Sequence, residues 1–169
     1  MADRLTSAAV PPIDPDDHLR GSGPEAIIYL DLACPHCAAA WQQIRELPLR
    51  LCCRHFPVAS KHPRAPILHH ATEAAAAQRD DAFHEMWDSL LDDHGHQDDP
   101  HLWRRAEAIG LDLAQFERDR RSDAAANRVR RDFETGIRAG VTSTPAAFVE
   151  GRRMTGDLMA GLSRRAAVG

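Results

Sequence analysis

The sequence predicts an α/β domain interrupted by an all-helical block. Three observations carry that expectation. The apolar run Ile27-Ile28-Tyr29-Leu30-Asp31-Leu32-Ala33 leads almost directly into the helix-forming stretch Ala38-Ala39-Ala40-Trp41-Gln42-Gln43-Ile44. Residues from about 66 to 139 are almost wholly helical in pattern. A short strand pair then closes the chain, with Ala146-Ala147-Phe148-Val149 as its first member.

The elements follow in order. Residues 1–24 are rich in Pro, Asp, Gly and Ser and read as an arm leading to the first core strand. Residues 26–33 form that strand, with the near-continuous apolar character of a strand covered on both faces. A helix over about 35–46 ends before Pro48, and Leu49 to Phe56 alternates weakly as a second strand closed by Pro57. Ile67 to Gln78 is an Ala-rich helix, and Asp81 to Asp92 places Phe83, Met86, Trp87, Leu90 and Leu91 at helical spacing. Pro100 opens a helix that ends at Gly110. Leu113 to about Ser122 is a short amphipathic piece. Ala124 to Ala139 puts Val129, Phe133 and Ile137 on one face and stops at Gly140. Glu150-Gly151-Arg152 is a hairpin turn, and Asp157 caps a closing helix that runs to Ala167.

Bulk properties exclude several classes. The chain has 169 residues, which suits one domain with an insertion. A net charge of −4 offers no basic field for nucleic acid. No stretch approaches the ~18 apolar residues of a membrane span. The first residues lack the charged start and apolar core of a secretory signal, so a cytoplasmic location is expected. Basic residues are almost all Arg, with Lys61 the one lysine, which we read as genome bias. Four cysteines are too few for a disulfide scaffold at this size.

Function concentrates in Cys34-Pro35-His36-Cys37. Two cysteines two residues apart, where a strand hands over to a helix, read as a redox dithiol. Cys34 would sit beside unpaired backbone N–H groups at the positive end of the helix dipole, which stabilises a thiolate. The thiolate is the form that attacks disulfides. Cys37, three residues into the helix, would be less exposed and higher in pKa, as suits a resolving thiol. His36 would favour the neighbouring thiolate by charge or by a hydrogen bond to sulfur. Half of a zinc site is the rival reading. It needs four ligands, commonly two CxxC-type pairs, and Cys52-Cys53 are adjacent in a strand and point to opposite faces. Those two read as packing residues.

This layout resembles the DsbA-like thioredoxin-fold family, in its branch with a short CPxC dithiol and a helical insertion. The resemblance runs from Asp17-His18-Leu19-Arg20-Gly21 to about Gly156. It takes in Arg54-His55-Phe56-Pro57, His62-Pro63, Ala71-x-Glu73-Ala74-Ala75, Phe83-His84-Glu85-Met86-Trp87, Gly110-Leu111-Asp112-x-x-x-Phe116 and Thr144-Pro145-x-x-Phe148-Val149-x-Gly151. It implies a thioredoxin fold, a central mixed sheet with flanking helices, with an all-helical insertion. Residues 25–60 would form its first half, 61–139 the insertion and 140–169 the second half. It also implies a cis Pro145 lying against the dithiol, with the backbone of Thr144 free to pair with an extended substrate. The implied reaction is thiol–disulfide exchange with protein or small-molecule thiol and disulfide substrates, with a redox partner that the sequence does not name. No cofactor or metal is required. One departure is notable. Thioredoxin-like proteins often carry a buried acid six residues before the first cysteine, and here that position is Ile28. Proton handling for Cys37 is then expected from Glu25, Asp31 or water.

Other conspicuous residues have plainer readings. His94, His96 and His101, with Asp92, Asp93, Asp98 and Asp99, read as a solvated helix connection, because Gly95 and Pro100 form turns and no i, i+4 ligand spacing is present. His69, His70 and His84 fall in helices as satisfied or exposed residues. Trp41, Trp87 and Trp103 read as core. A glutathione-linked isomerase or transferase would usually replace the CxxC by a single Ser or Cys, which the intact pair counts against. A binding module that uses the groove without turnover is the remaining rival.

Overall fold

The computed structural model describes residues 7–169. The first six residues of the expected arm, and with them the start of the leader reading, lie outside the described residues. The elements are β1 (His18–Arg20), β2 (Glu25–Leu30), α1 (Pro35–Ile44), β3 (Arg50–His55), α2 (Ala65–Ala76), α3 (Ala82–Asp92), α4 (Asp99–Ala108), α5 (Leu113–Asp119), α6 (Asp123–Arg138), β4 (Ala146–Val149), β5 (Arg152–Arg153) and α7 (Leu158–Ala166). The segment read as an arm contributes one strand. His18-Leu19-Arg20 is too short to carry a period-two signal and is held by its antiparallel pairing with β3.

The strands form one mixed sheet in the order β1-β3-β2-β4-β5. β2 and β3 are parallel, joined through α1, and β4 runs antiparallel to β2. Side chains alternate across the sheet, and both faces are covered. Ala26, Ile28, Leu30, Leu51 and Cys53 face α1, α2, α3 and α7 with Trp41, Phe83 and Trp87. Ile27, Tyr29, Cys52 and Phe148 face the other way, against Phe56, Phe133 and Val141. This double burial explains the unbroken apolar run of β2. It also sends Cys52 and Cys53 into opposite layers, where burial pushes both thiols up, Cys53 to about 12.

Helix ends follow local chemistry. Asp98, Asp112, Ser122 and Asp157 each accept a hydrogen bond from the amide three residues on. On α6, Val129 is buried and Phe133 stacks on Phe56 at 4.8 Å. Ile137, expected on the same inner face, is 51% exposed because the buried stripe of α6 runs through Ala125, Val129, Asp132 and Gly136, and Ile137 lies about 100° round the helix from Gly136. Trp103 is also exposed and donates to Glu117 at 2.8 Å, so only Trp41 and Trp87 of the three tryptophans are core.

Gly136 lets α6 approach the sheet. A Cβ there would stand 3.0 Å from both the Phe56 and Tyr29 rings. Gly136→Val should therefore lower stability by about 1–3 kcal/mol through overpacking. A urea titration checks this, and unchanged stability would show that the two rings yield freely.

Candidate active site

Cys34 is the N-cap of α1 and Pro35 is its first residue. Proline at that position has no amide to lose and is preset for the helix. The free amides of the first turn therefore belong to His36 and Cys37, and both act on the Cys34 sulfur. Cys34 is 7% exposed and Cys37 is fully buried. Pro35 and His36 are exposed and flank the sulfur on the solvent side.

The two thiols are driven apart. The Cys37 thiol, hydrogen-bonded to Cys34, is the largest influence holding the Cys34 pKa down. Burial opposes it, and the Cys37 amide, the Thr144 side chain and the His36 amide add to it, leaving the group at about 5. Burial pushes Cys37 strongly up, and the charge forming on Cys34 adds to that. One thiol is thus an anion at neutral pH and the other holds its proton. A nucleophile and its resolving partner need that division.

Thr144 and Pro145 reach the site across the sheet. The Thr144–Pro145 peptide bond is cis, and the Thr144 side chain favours the thiolate form of both cysteines. β4 begins at the next residue, so the pairing of β4 with β2 fixes this loop beside the start of α1.

Two further groups stand at the site, one named in the sequence and one hidden in it. Asp31 is fully buried beneath the dithiol. Its amide lies 3.4 Å from the Cys37 sulfur, and its carboxylate accepts from the amides of Ala33 (2.9 Å) and Val58 (3.0 Å). Burial raises its pKa, but the nearby His69 ring and those amides outweigh burial and hold it low. Glu25, the other acid considered, is exposed and pairs with Arg50. The second group is His94. Its Nε2 donates to the Ala33 carbonyl at 2.8 Å, so the loop read as a solvated connection is anchored to the residue before Cys34. Arg105 fixes the same loop by donating to the carbonyls of Asp93 (2.9 Å) and His96 (2.8 Å). Its other histidines pair locally, His96 with Asp93 and His101 with Asp98, while Asp92 accepts from Arg45 and Asp99 from Arg64.

The DSBA-like thioredoxin domain family matches residues 55–164. The chain belongs to that family. The match begins at His55, downstream of the dithiol. The thiol-disulfide exchange protein alpha-DsbA2 of Wolbachia pipientis superposes with a TM-score of 0.81 at 18% identity, over 92% of this chain and 88% of that one. A thioredoxin-like oxidoreductase of Silicibacter pomeroyi gives 0.77 at 21% identity, over 92% of both chains. BdbD of Bacillus subtilis gives 0.76 at 11%, over 95% of this chain and 98% of that one. At these identities the likeness is one of fold. Among curated proteins, the chain is 39% identical over 157 residues to Na(+)/H(+) antiporter NhaA 3 of Salinispora tropica, covering 86% of this chain and 23% of that protein. Against the NhaA antiporter of Herminiimonas arsenicoxydans it is 37% identical over 159 residues, covering 87% and 24%. The chain thus spans about a quarter of the length of the curated relatives it matches.

Proposed function

We propose that this DSBA-like domain is a thiol–disulfide oxidoreductase. The observation that carries the reading is the division of the dithiol into a Cys34 held near pKa 5 and a protonated, buried Cys37. Cys34 attacks a substrate disulfide, or, when oxidised, accepts attack by a substrate thiolate. Cys37 resolves the mixed disulfide. Pro35 and His36 shape the thiolate's surroundings, and Thr144 and Pro145 form the docking edge for an extended substrate segment. A stabilised thiolate favours the reduced protein, so the disulfide form is an oxidant. In a cytoplasmic setting glutathione keeps most thiols reduced, and turnover as an oxidant there requires a disulfide or peroxide that reloads the pair.

Ion transport is not a reading of this segment. No helix among the described residues is long and apolar enough to cross a membrane. We read the quarter shared with the antiporter relatives as a redox module.

The rate of Cys34 alkylation against pH tests the proposal. It should rise with a midpoint near 5 and be flat from about pH 6 to 8. A midpoint at the ordinary thiol value of about 8.5 would sink the reading. In a Cys37→Ser variant the resolving step is gone, and mixed disulfides with substrate should accumulate on nonreducing gels. An absence of trapped species would favour a binding module without turnover.

A further inference from the structure

The loop between α3 and α4 is clamped by two arginines. Arg105, 8% exposed on α4, donates to the carbonyls of Ser89 (2.8 Å), Asp93 (2.9 Å) and His96 (2.8 Å). Arg64, at the start of α2, donates to the Gln97 carbonyl at 2.7 Å, and Gln97 Nε2 donates to the His94 carbonyl at 2.8 Å. The carboxylates around this loop are occupied. Asp93 pairs with His96 and Arg105, Asp98 with His101, Asp92 with Arg45, and Asp99 with Arg64 and Arg120. Of His94, His96 and His101, only His94 has no carboxylate partner among the described residues. The clamp directs its half-buried ring to the Ala33 carbonyl instead.

The segment leading to the Cys34 sulfur shows what that bond supplies. The Leu32 amide donates to His69, the Ala33 amide to the Asp31 carboxylate and the Cys34 amide to the Asp31 carbonyl. The Cys34 carbonyl accepts from the Ala38 amide at 3.1 Å. The Ala33 carbonyl differs. It accepts from no backbone amide among the described residues, and Ala33 is 4% exposed. Its donor is His94 Nε2 at 2.8 Å. A carbonyl can only accept, so the proton of the neutral His94 ring sits on Nε2. Covalent geometry keeps this carbonyl oxygen within about 5 Å of the Cys34 sulfur.

We propose that His94 is a positioning residue for the Cys34 nucleophile, fixing the Ala33–Cys34 peptide and neutralising the negative end of its dipole beside the sulfur. The role rests on the thiol–disulfide reading, and it makes the helical insertion part of the nucleophile's setting. Cys34 caps α1 in extended backbone, with φ −89° and ψ 122°. From there its sulfur meets the free amides of His36 and Cys37. A buried carbonyl without a donor is costly, so without His94 the Ala33–Cys34 peptide would turn to find one. That turn would carry the sulfur away from the two amides. If the peptide held still, a bare carbonyl oxygen would face the thiolate and repel it. Either way the loss acts against ionised Cys34.

Two variants of the full chain test this. His94→Leu removes the donor, whereas His94→Gln puts an amide nitrogen close to the place of Nε2. Alkylation of Cys34 by iodoacetamide across pH gives the midpoint of its ionisation. In His94→Leu the midpoint should rise by about one pH unit relative to wild type. The equilibrium with glutathione should move about tenfold towards the disulfide, because a less stable thiolate disfavours the reduced form. In His94→Gln most of both shifts should be recovered. A merely structural role for the loop would lower the melting temperature and leave the midpoint in place. Nitrogen-15 spectra of the wild-type imidazoles add a readout that needs no variant, since the neutral His94 ring should be the Nε2–H tautomer. An unmoved midpoint in His94→Leu, an equal shift in both variants, or the Nδ1–H tautomer overturns the proposal and leaves the exchange reading intact. A wild-type midpoint at about 8.5, the ordinary thiol value, overturns the exchange reading itself.

Discussion

Cys34→Ser should abolish the reduction of insulin disulfides, with a loss of roughly a thousandfold or more in turnover. Serine keeps the size of the side chain but not its acidity. The hydrogen bonds from Cys37 and Thr144 and the two helix amides hold a thiolate at about 5, whereas a hydroxyl in the same place stays protonated at any pH where the protein is folded. The fold should be unaffected, because Cys34 is at a helix cap and serine is a favoured cap residue. Near-ultraviolet circular dichroism and the melting temperature would confirm this, and insulin turbidity would give the activity. Cys37→Ser is the contrasting case, since its first attack survives and only release is lost. Retention of turnover in Cys34→Ser would remove the enzymatic reading altogether, because no other cysteine is placed to replace it. Cys52 and Cys53 are fully buried in opposite layers of the sheet, and burial raises both thiols.

What the sequence discloses and what it hides differ in range. The dithiol, its helix and the capping aspartates are written in neighbouring residues, so the start of α1 and the cap of α7 can be read directly. The apolar run of β2 declares a strand covered on both sides. Exposure is less legible. Phe133 and Ile137 are four residues apart, yet the buried stripe of α6 is Ala125, Val129, Asp132 and Gly136, which leaves Phe133 at its margin and Ile137 outside it. Trp103 falls at helical spacing as Trp87 does, but α4 buries Leu102, Arg105 and Ala106 against the core and leaves Trp103 off that face. The buried hydrogen-bonded chain from the Leu32 amide through His69, His55 and Glu73 to His18 is hidden most completely, because its members come from β1, the turn after β2, β3 and α2. A trace remains in the sequence. His69 and Glu73 are four residues apart on one helix face, and His55 sits in the strand that this helix covers. His94 leaves no such trace, since a loop histidine bonded to a distant carbonyl looks like any other.

Arg54→Met should cost about 3 kcal/mol of folding stability, the lower part of the range for breaking a buried ion pair. Arg54 is 2% exposed and uses its whole guanidinium. Nε and Nη2 donate to the two Asp17 oxygens at 3.1 and 2.7 Å, while Nη1 and Nη2 donate to the carbonyls of Pro11 (2.8 Å) and Pro12 (3.0 Å). Methionine fills much of the same volume but leaves those acceptors without donors in the interior. Asp17 is not abandoned, because Arg128 stands 3.3 Å from it and the Asp14 amide 2.9 Å, and this places the loss at the lower end. Arg54→Lys should recover little, since a point charge cannot serve a carboxylate and two carbonyls as a planar fork does. The effect should depend on pH with a definite sign. Burial opposes ionisation of Asp17, but the bond to Arg54, the Asp14 amide and the charges of Arg54 and Arg128 lower it from 3.8 to about 2. The stabilisation it brings is therefore complete above about pH 4 and lost as pH falls through about 2. Urea titrations of wild type and variant should differ most at neutral pH and converge towards pH 2. A gap under about 1 kcal/mol at neutral pH, or one that does not narrow in acid, would show that the pair does no more than offset the cost of its own burial.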